Sequence, residues 1–128
     1  MNLKSIATTS IVTLLLGASF AAAAAPSVRV TCEVRASRAK ASVDGSGLAA
    51  GNYRGVIVSG GNTAQSPAEA AIGDEVEFDF DSNPADIREG ATAISSTFVV
   101  NRQVTGKIVD AAGRTVASDT VACRIRRK

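Results

Sequence analysis

Hydrophobic and polar residues alternate with a period of two along much of the chain after residue 26. Successive side chains of a β-strand point to opposite faces of its sheet, so this pattern predicts strands with one buried face. The clearest case is EVEFDFD at residues 75–81, where Val76, Phe78 and Phe80 form the apolar set. Clusters of Gly, Asn, Asp and Ser separate such segments and predict the turns of antiparallel sheets.

The alternation changes phase in the first part of the chain. Even positions from Val28 to Ala36 are apolar, whereas the apolar positions from Ala39 to Val43 are odd. We therefore expect a bulge or bend near residues 37–38. The sequence DGSG at 44–47 predicts a turn. The remaining predicted strands are residues 53–59, 75–81, 96–100, 104–110 and 114–126, the last two joined as a hairpin.

Two connections differ from simple turns. Residues 60–73, GGNTAQSPAEAAIG, show no clear strand and predict a long surface loop of a kind that is often functional or mobile. Asn83 followed by Pro84, with Gly90 six residues later, predicts a capped helix of about one turn. The whole pattern predicts an all-β fold, an antiparallel two-sheet sandwich of about seven strands with one short helix.

The N-terminal end of the chain indicates export. Lys4 precedes an apolar stretch at 6–20 and an alanine run at 21–25, which is typical of a secretory signal peptide cleaved between residues 22 and 25. We assign residues 1–24 to the signal and residues 25–128 to a single domain, with an uncleaved membrane anchor as the alternative. The mature domain is then expected in the periplasm or outside the cell, without insertion in the membrane.

Two cysteines, Cys32 and Cys123, lie in the first and last predicted strands. Exported proteins meet oxidising compartments, so we expect one disulfide that joins the two ends of the domain. In the chain-entropy account, a bond that closes about 90 residues stabilises the fold by up to ~4–5 kcal/mol. The alternatives are two free buried thiols and pairing with a second chain.

A short motif, Leu48-x-x-Gly51-x-Tyr53-x-x-Val56-x-Val58, resembles the corner-and-strand signature of fibronectin type III, prealbumin-like and other immunoglobulin-like modules. The resemblance implies an immunoglobulin-like sandwich in which the tyrosine hydroxyl bonds the backbone at a corner. In fibronectin type III domains the signature falls late in the chain, whereas here it comes early. The resemblance implies no functional residue.

Residues 69–89 carry eight carboxylates against a single arginine and are the strongest candidate for chemistry. Calcium favours oxygen clusters, and the start of the segment from Asp79 is similar to an EF-hand loop, but Pro84 stands where that loop needs Gly and Gly90 where it needs Glu. Another calcium site and a solvated strand face remain as alternatives. The carboxylates are Glu69, Asp74, Glu75, Glu77, Asp79, Asp81, Asp86 and Glu89.

Basic residues concentrate near both ends of the domain. The expected disulfide places these ends side by side, as a basic stripe for anionic glycans, lipid headgroups or acidic proteins. The alternative is a charged edge that blocks strand addition or pairs with the acidic strand of the same fold. The residues are Arg29, Arg35, Arg38, Lys40, Arg124, Arg126, Arg127 and Lys128.

Catalysis and nucleic-acid binding are not indicated. The chain has no histidine, a formal net charge of only +2 and a single tyrosine, so general-base chemistry, bulk attraction to phosphates and base stacking all lack their usual residues. The leading hypothesis is a non-catalytic exported module, without cofactor or metal, that binds an unknown protein or glycan through residues 59–73. A calcium-stabilised structural domain that uses residues 69–89 is the alternative, and the oligomeric state stays open.

Overall fold

The structure is a computed structural model that describes residues 25–127. The signal peptide expected at residues 1–24 and Lys128 lie outside the described residues. The described part contains ten β-strands and one short helix. These elements are β1 (Ser27–Arg35), β2 (Arg38–Ser46), β3 (Asn52–Ser59), β4 (Asn62–Gln65), β5 (Glu69–Ala70), β6 (Val76–Asp81), α1 (Pro84–Arg88), β7 (Thr92–Ala93), β8 (Gln103–Asp110), β9 (Thr115–Ala122) and β10 (Arg124–Ile125).

The strands form two sheets that face each other. Sheet A has the order β10-β1-β2-β6-β7, and sheet B has the order β4-β3-β8-β9 with β5 also paired to β3. The predicted all-β, two-sheet sandwich is therefore confirmed. Side chains from both inner faces fill the core between the sheets. The largest fully buried ones are Phe78, Phe80, Ile57, Ile108, Val43 and Val104.

Sheet A is mixed, which corrects the expectation of purely antiparallel sheets. β10 pairs with β1 in parallel, and β7 pairs with β6 in parallel. In both cases the short edge strand runs in the same direction as its neighbour. This is possible because neither pair is joined by a tight hairpin. The chain crosses from β9 in sheet B to β10 in sheet A at Cys123, and α1 connects β6 to β7.

A tight hairpin replaces the bulge expected near residues 37–38. β1 and β2 are antiparallel neighbours with Arg35 opposite Arg38, so only two residues form the loop. In this register an even-numbered residue of β1 always lies opposite an odd-numbered residue of β2, as Cys32 does with Ala41. Residues opposite each other share a face of the sheet. The change of phase in the sequence is therefore a consequence of chain reversal.

Three other predicted boundaries are wrong. β2 continues through the DGSG sequence and pairs with β1 as far as Ser46, and the chain turns at Gly47, where φ is +69°. Residues 96–100 form an irregular loop, because hydrogen bonds with side chains of sheet B hold their backbone.

The segment 114–126 is divided into β9 and β10. Ile125, expected to face inward, is 45% exposed because β10 lies at the edge of sheet A.

Two glycines allow the sheets to approach closely in the core. A Cβ on Gly55 of β3 would lie 2.6 Å from the ring of Phe78, and a Cβ on Gly106 of β8 would lie 2.7 Å from Val30. Real side-chain carbons do not tolerate such distances, so the large side chains of sheet A occupy space that these glycines leave empty.

The turn between β2 and β3 has the geometry that the immunoglobulin-like motif implies. The Tyr53 hydroxyl donates a hydrogen bond of 2.7 Å to the backbone oxygen of Ala49. Leu48 is buried in the core, and Gly51 has φ +151°, which L side chains rarely adopt. The tyrosine thus fixes the corner at which the chain passes from sheet A to sheet B.

Two local predictions are confirmed. Cys32 and Cys123 form a disulfide with a Cα–Cα distance of 4.6 Å, and both side chains are buried. α1 begins after Asn83, whose side-chain oxygen accepts a hydrogen bond of 2.8 Å from the Ala85 amide, and it ends after five residues. Within residues 25–127, no helix has the length and apolar character needed to cross a bilayer.

Candidate interaction surfaces

The segment 59–73, expected to be a long loop, is a folded edge of sheet B. Both β4 and β5 pair with β3. Between residues 62 and 70 only Ala64 and Ser66 are shielded from solvent, and the sequence there contains only small or polar residues and shows no alternation. The prediction of a loop without strands is wrong, because β4 and β5 pair with the backbone of β3.

Side-chain hydrogen bonds attach this edge to the neighbouring loop. The buried hydroxyl of Ser59 accepts a hydrogen bond of 2.7 Å from the Val100 amide and donates one of 2.7 Å to the Gln103 backbone oxygen. The side-chain amide of Asn62 donates a hydrogen bond of 2.7 Å to the Phe98 backbone oxygen. These bonds attach the backbone of residues 98 and 100 to sheet B although the segment 96–100 belongs to no strand.

Ser66 anchors the interruption between β4 and β5. Its hydroxyl accepts a hydrogen bond of 2.9 Å from the Gly55 amide, and its own amide donates one of 2.9 Å to the Gly55 oxygen. Arg54 donates a further bond of 3.1 Å to the Ser66 backbone oxygen. The backbone groups that a break between two strands would leave unpaired are thus satisfied.

The outer side of β4 and β5 faces solvent. In the part of the chain that the structure describes, no strand pairs with either one on the side away from β3. Such an edge presents backbone donors and acceptors to which an extended segment of a partner is able to pair. Beyond β5, the side chain of Ile72 is 86% exposed at the turn that leads to β6. It is a large apolar side chain beside an edge made of small and polar residues.

The acidic segment 69–89 contains an ion pair with a structural role. Arg38 donates hydrogen bonds of 3.0 and 2.7 Å to the two carboxylate oxygens of Asp81, and another of 2.8 Å to Asp86. Asp81 is buried, although it belongs to the outward-facing set of β6. It also accepts a hydrogen bond of 3.0 Å from the Asn83 amide. For Arg38, pairing with the acidic strand of the same fold is therefore confirmed.

The pKa values of two aspartates on sheet A are shifted in opposite directions. Burial opposes the ionisation of Asp81, but its hydrogen bonds to Arg38 and to the following backbone amide, with the charge of Arg38, lower the pKa of Asp81 below its ordinary value. The hydrogen bond to Asp81 raises the pKa of Arg38. For Asp44, burial and then the charges of Glu77 and Asp79 raise the pKa. Asp81 is thus stabilised as an anion, whereas the ionised form of Asp44 is disfavoured.

Further carboxylates border a groove of about 430 Å³ beside β6 and α1, which we call the acidic groove. Its carboxylates are Glu69, Glu77, Asp79, Asp81, Asp86 and Glu89. Within residues 25–127, four of these form no ion pair, namely Glu69, Glu77, Asp79 and Glu89. Among the described residues, no group of three or more Asp, Glu, Cys or His side chains is arranged to hold a metal ion. The calcium alternative gains no support from this geometry and stays a prediction.

Arginines are concentrated near Glu33 at the opposite edge of sheet A. Arg35 and Arg126 each lie 3.3 Å from the same carboxylate oxygen of Glu33, and Arg124 lies opposite Glu33 in the pairing of β1 with β10. Arg127 follows and is exposed. We call these four residues the arginine cluster. The two ion pairs of the cluster share the single carboxylate of Glu33.

The basic stripe expected from the sequence is only partly assembled. Arg38 is committed to the acidic strand, Arg29 lies opposite Asp44 in the pairing of β1 with β2, and Lys40 borders the acidic groove. Lys128 lies outside the described residues. The positive surface is therefore concentrated at β10 and the end of β1 rather than spread along both terminal strands.

Comparisons with known proteins identify no family for this chain. No protein-family model matches the sequence, and no curated protein matches it. Among solved structures, the chain is similar to part of a β-glucosidase from Kluyveromyces marxianus in complex with glucose, with a TM-score of 0.39 and 6% identity. The alignment covers 78% of this chain and 14% of that chain. At this TM-score the likeness carries no argument about function.

Proposed function

We propose that this chain is an exported, non-catalytic, immunoglobulin-like module of the periplasm or cell exterior, which binds a protein or glycan through the edge segment 59–73. The buried disulfide between Cys32 and Cys123 supports an oxidising location, because such bonds persist outside the reducing cytosol. The arrangement of β1-β2-β6 against β4-β3-β8-β9 and the corner hydrogen bond of Tyr53 support the immunoglobulin-like assignment.

The observation that carries the binding role is the exposed outer edge formed by β4 and β5. The segment is held in an extended conformation by pairing to β3 and by the hydrogen bonds of Ser59 and Ser66, so a partner that pairs with it does not first have to form a strand there. An extended protein segment matches the backbone donors and acceptors of this edge. A glycan instead would use the exposed polar side chains, such as Thr63 and Gln65.

The non-catalytic part of the proposal rests on residue types. The chain has no histidine, and its two cysteines are joined to each other. The buried carboxylate of Asp81 is committed to Arg38 at hydrogen-bond distance and is not available as an acid or base.

Capture from a native envelope fraction tests the proposed surface. Replacing residues 60–68 by a linker is unsuitable, because it removes the structural bonds of Asn62 and Ser66. The edge variant therefore combines Thr63→Glu with Gln65→Glu, which change exposed side chains only. The matched control combines Thr115→Glu with Ser118→Glu on β9, the other edge of sheet B.

The proposal predicts that the edge variant loses the captured partner while the control keeps it. Equal capture by the wild-type protein and the edge variant contradicts the assignment of the surface. Thermal unfolding with calcium and with a chelator tests the alternative function separately, since a ligand that binds the folded state raises its midpoint. A calcium-independent midpoint eliminates the calcium-stabilised domain.

A further inference from the structure

β10 is attached to the edge of sheet A by few contacts. Two residue pairs join it to β1, beginning with Arg124 opposite Glu33. The amide of Arg126 donates one further hydrogen bond of 2.9 Å to the backbone oxygen of Val34. On its other side, β1 pairs with β2 along its whole length. Both residues of β10 are exposed, so burial in the core does not strengthen the attachment.

These contacts do not by themselves offset the entropy that is lost when the end of the chain is ordered. Fixing the backbone of one residue costs at least as much free energy as a typical hydrogen bond contributes in water. The contact of Arg126 with Glu33, at 3.3 Å, is partly exposed and shares its carboxylate oxygen with Arg35, so it adds little. A further constraint is therefore needed to keep β10 on β1.

The disulfide provides this constraint. Cys123 directly precedes β10, and Cys32 directly precedes Glu33, so the bond places the first residue of β10 beside its partner on β1. The amide of Cys123 donates a hydrogen bond of 2.8 Å to the backbone oxygen of Arg102, which directly precedes β8 of sheet B. Within residues 25–127, this backbone bond ties Cys123 to sheet B, and the disulfide ties it to sheet A.

We propose that oxidation of Cys32 and Cys123 holds β10 on β1 and closes this edge of sheet A, whereas the reduced chain keeps the sandwich but leaves the edge open. Each thiol loses its proton, and two electrons pass to a protein disulfide of the envelope, which becomes a dithiol. The reduced thiols remain small apolar side chains in the core. Because an open strand edge pairs with other extended chains, oxidation after export protects β1 from such pairing. This role does not depend on the proposed binding through residues 59–73.

Amide hydrogen exchange, measured by NMR on the oxidised and the phosphine-reduced protein, tests this role of the disulfide. The Arg126 amide is expected to be protected in the oxidised protein and to exchange at least about tenfold faster after reduction, because its bond to Val34 is lost. The amides of Leu48 and Ser66, which bond backbone oxygens far from β10, are expected to keep their protection. Equal protection of Arg126 in both states overturns the proposal. Loss of protection at Leu48 and Ser66 also overturns it, because reduction then unfolds the sandwich.

Two variants separate the disulfide from the other contacts of β10. Cys32→Ala with Cys123→Ala removes the bond without a reductant and is expected to reproduce the fast exchange at Arg126. An alanine variant that protects this amide as the oxidised protein does, or that fails to fold, overturns the proposal. The control, Arg126→Gln, keeps the disulfide and removes the charge that contacts Glu33, so protection at position 126 is expected to fall by no more than about threefold. A loss as large as that caused by reduction shows that the ion pair holds β10, and the proposal then fails.

Discussion

Replacing Arg38 by Gln removes the charge that balances the buried carboxylate of Asp81. The Asp81 side chain is 6% exposed and that of Arg38 is 23% exposed, so the pair is largely shielded from solvent. Breaking a buried pair from one side costs 3–5 kcal/mol in typical cases. Asp81 keeps the hydrogen bond from Asn83, which places the expected loss at the lower end, about 3 kcal/mol. For a domain of about 100 residues this lowers the melting temperature by roughly 12–24 °C.

Urea unfolding at neutral pH measures this loss, and Arg35→Gln is the matched control. Arg35 lies in the same hairpin and loses the same charge, but its contact with Glu33 is longer, at 3.3 Å, and partly exposed. A pair of this kind contributes about 0–1 kcal/mol. Equal losses in the two variants, or a loss below about 1 kcal/mol for Arg38→Gln, refute the assignment of Asp81 as a buried, arginine-dependent anion.

The pH dependence of the same pair has a definite sign. Folding lowers the pKa of Asp81, so its stabilising contribution is present above the pKa of an unfolded aspartate and disappears as the pH falls through the folded value. The difference in unfolding free energy between the wild-type protein and Arg38→Gln is therefore expected to shrink on acidification. A difference that stays constant in strong acid contradicts this explanation.

Three further substitutions test other parts of the fold. Tyr53→Phe removes only the hydroxyl that bonds Ala49, and calorimetry is expected to show a loss of about 1 kcal/mol, with no loss if the corner bond is dispensable. Gly55→Ala forces a methyl group against Phe78 and is expected to cost about 1–3 kcal/mol in urea unfolding, whereas an unchanged midpoint shows that the core yields freely. Asp44→Asn replaces a carboxyl whose pKa is raised on folding, so it is expected to stabilise the protein at neutral pH and to lose this advantage in acid; destabilisation at neutral pH contradicts the sign.

The sandwich was predictable because its core strands obey the period-two pattern. Val76, Phe78 and Phe80 are buried while Glu77 and Asp79 are exposed, as the alternation of EVEFDFD indicates. The pairing of Cys32 with Cys123 followed from their number and from the expected export. In these places local pattern and tertiary structure agree, so the sequence alone is sufficient.

The edge of sheet B was not predictable from the alternation, because its strands bury almost nothing. β4 and β5 are defined by backbone pairing to β3, and their polar and alanine side chains show no alternation of hydrophobic and polar positions. The signal that was available is the Gly60–Gly61 pair directly after a buried strand, which suits a tight turn, and Gly60 indeed has φ +56°. The roles of Ser59 and Ser66 depend on contacts distant in sequence, which no local pattern reveals.

The charged surfaces were also predictable only in part from the sequence. The sequence indicated both charged regions, but it did not separate Arg38, which is committed to Asp81 and Asp86, from the arginines that gather around Glu33. The strand register determines which arginine pairs with which carboxylate, since it sets which charges lie opposite each other on the outer face of sheet A. A one-residue change of register would move the charged side chains of the shifted strand to the other face.

Peptide mapping of protein purified from the cell envelope, without reduction, is the most direct measurement of the central structural claim. The account predicts one linked species that joins the peptide containing Cys32 to the peptide containing Cys123, because β1 and the segment between β9 and β10 meet at that bond. Recovery of both peptides as separately alkylated thiols, from protein that was never exposed to reductant, contradicts it.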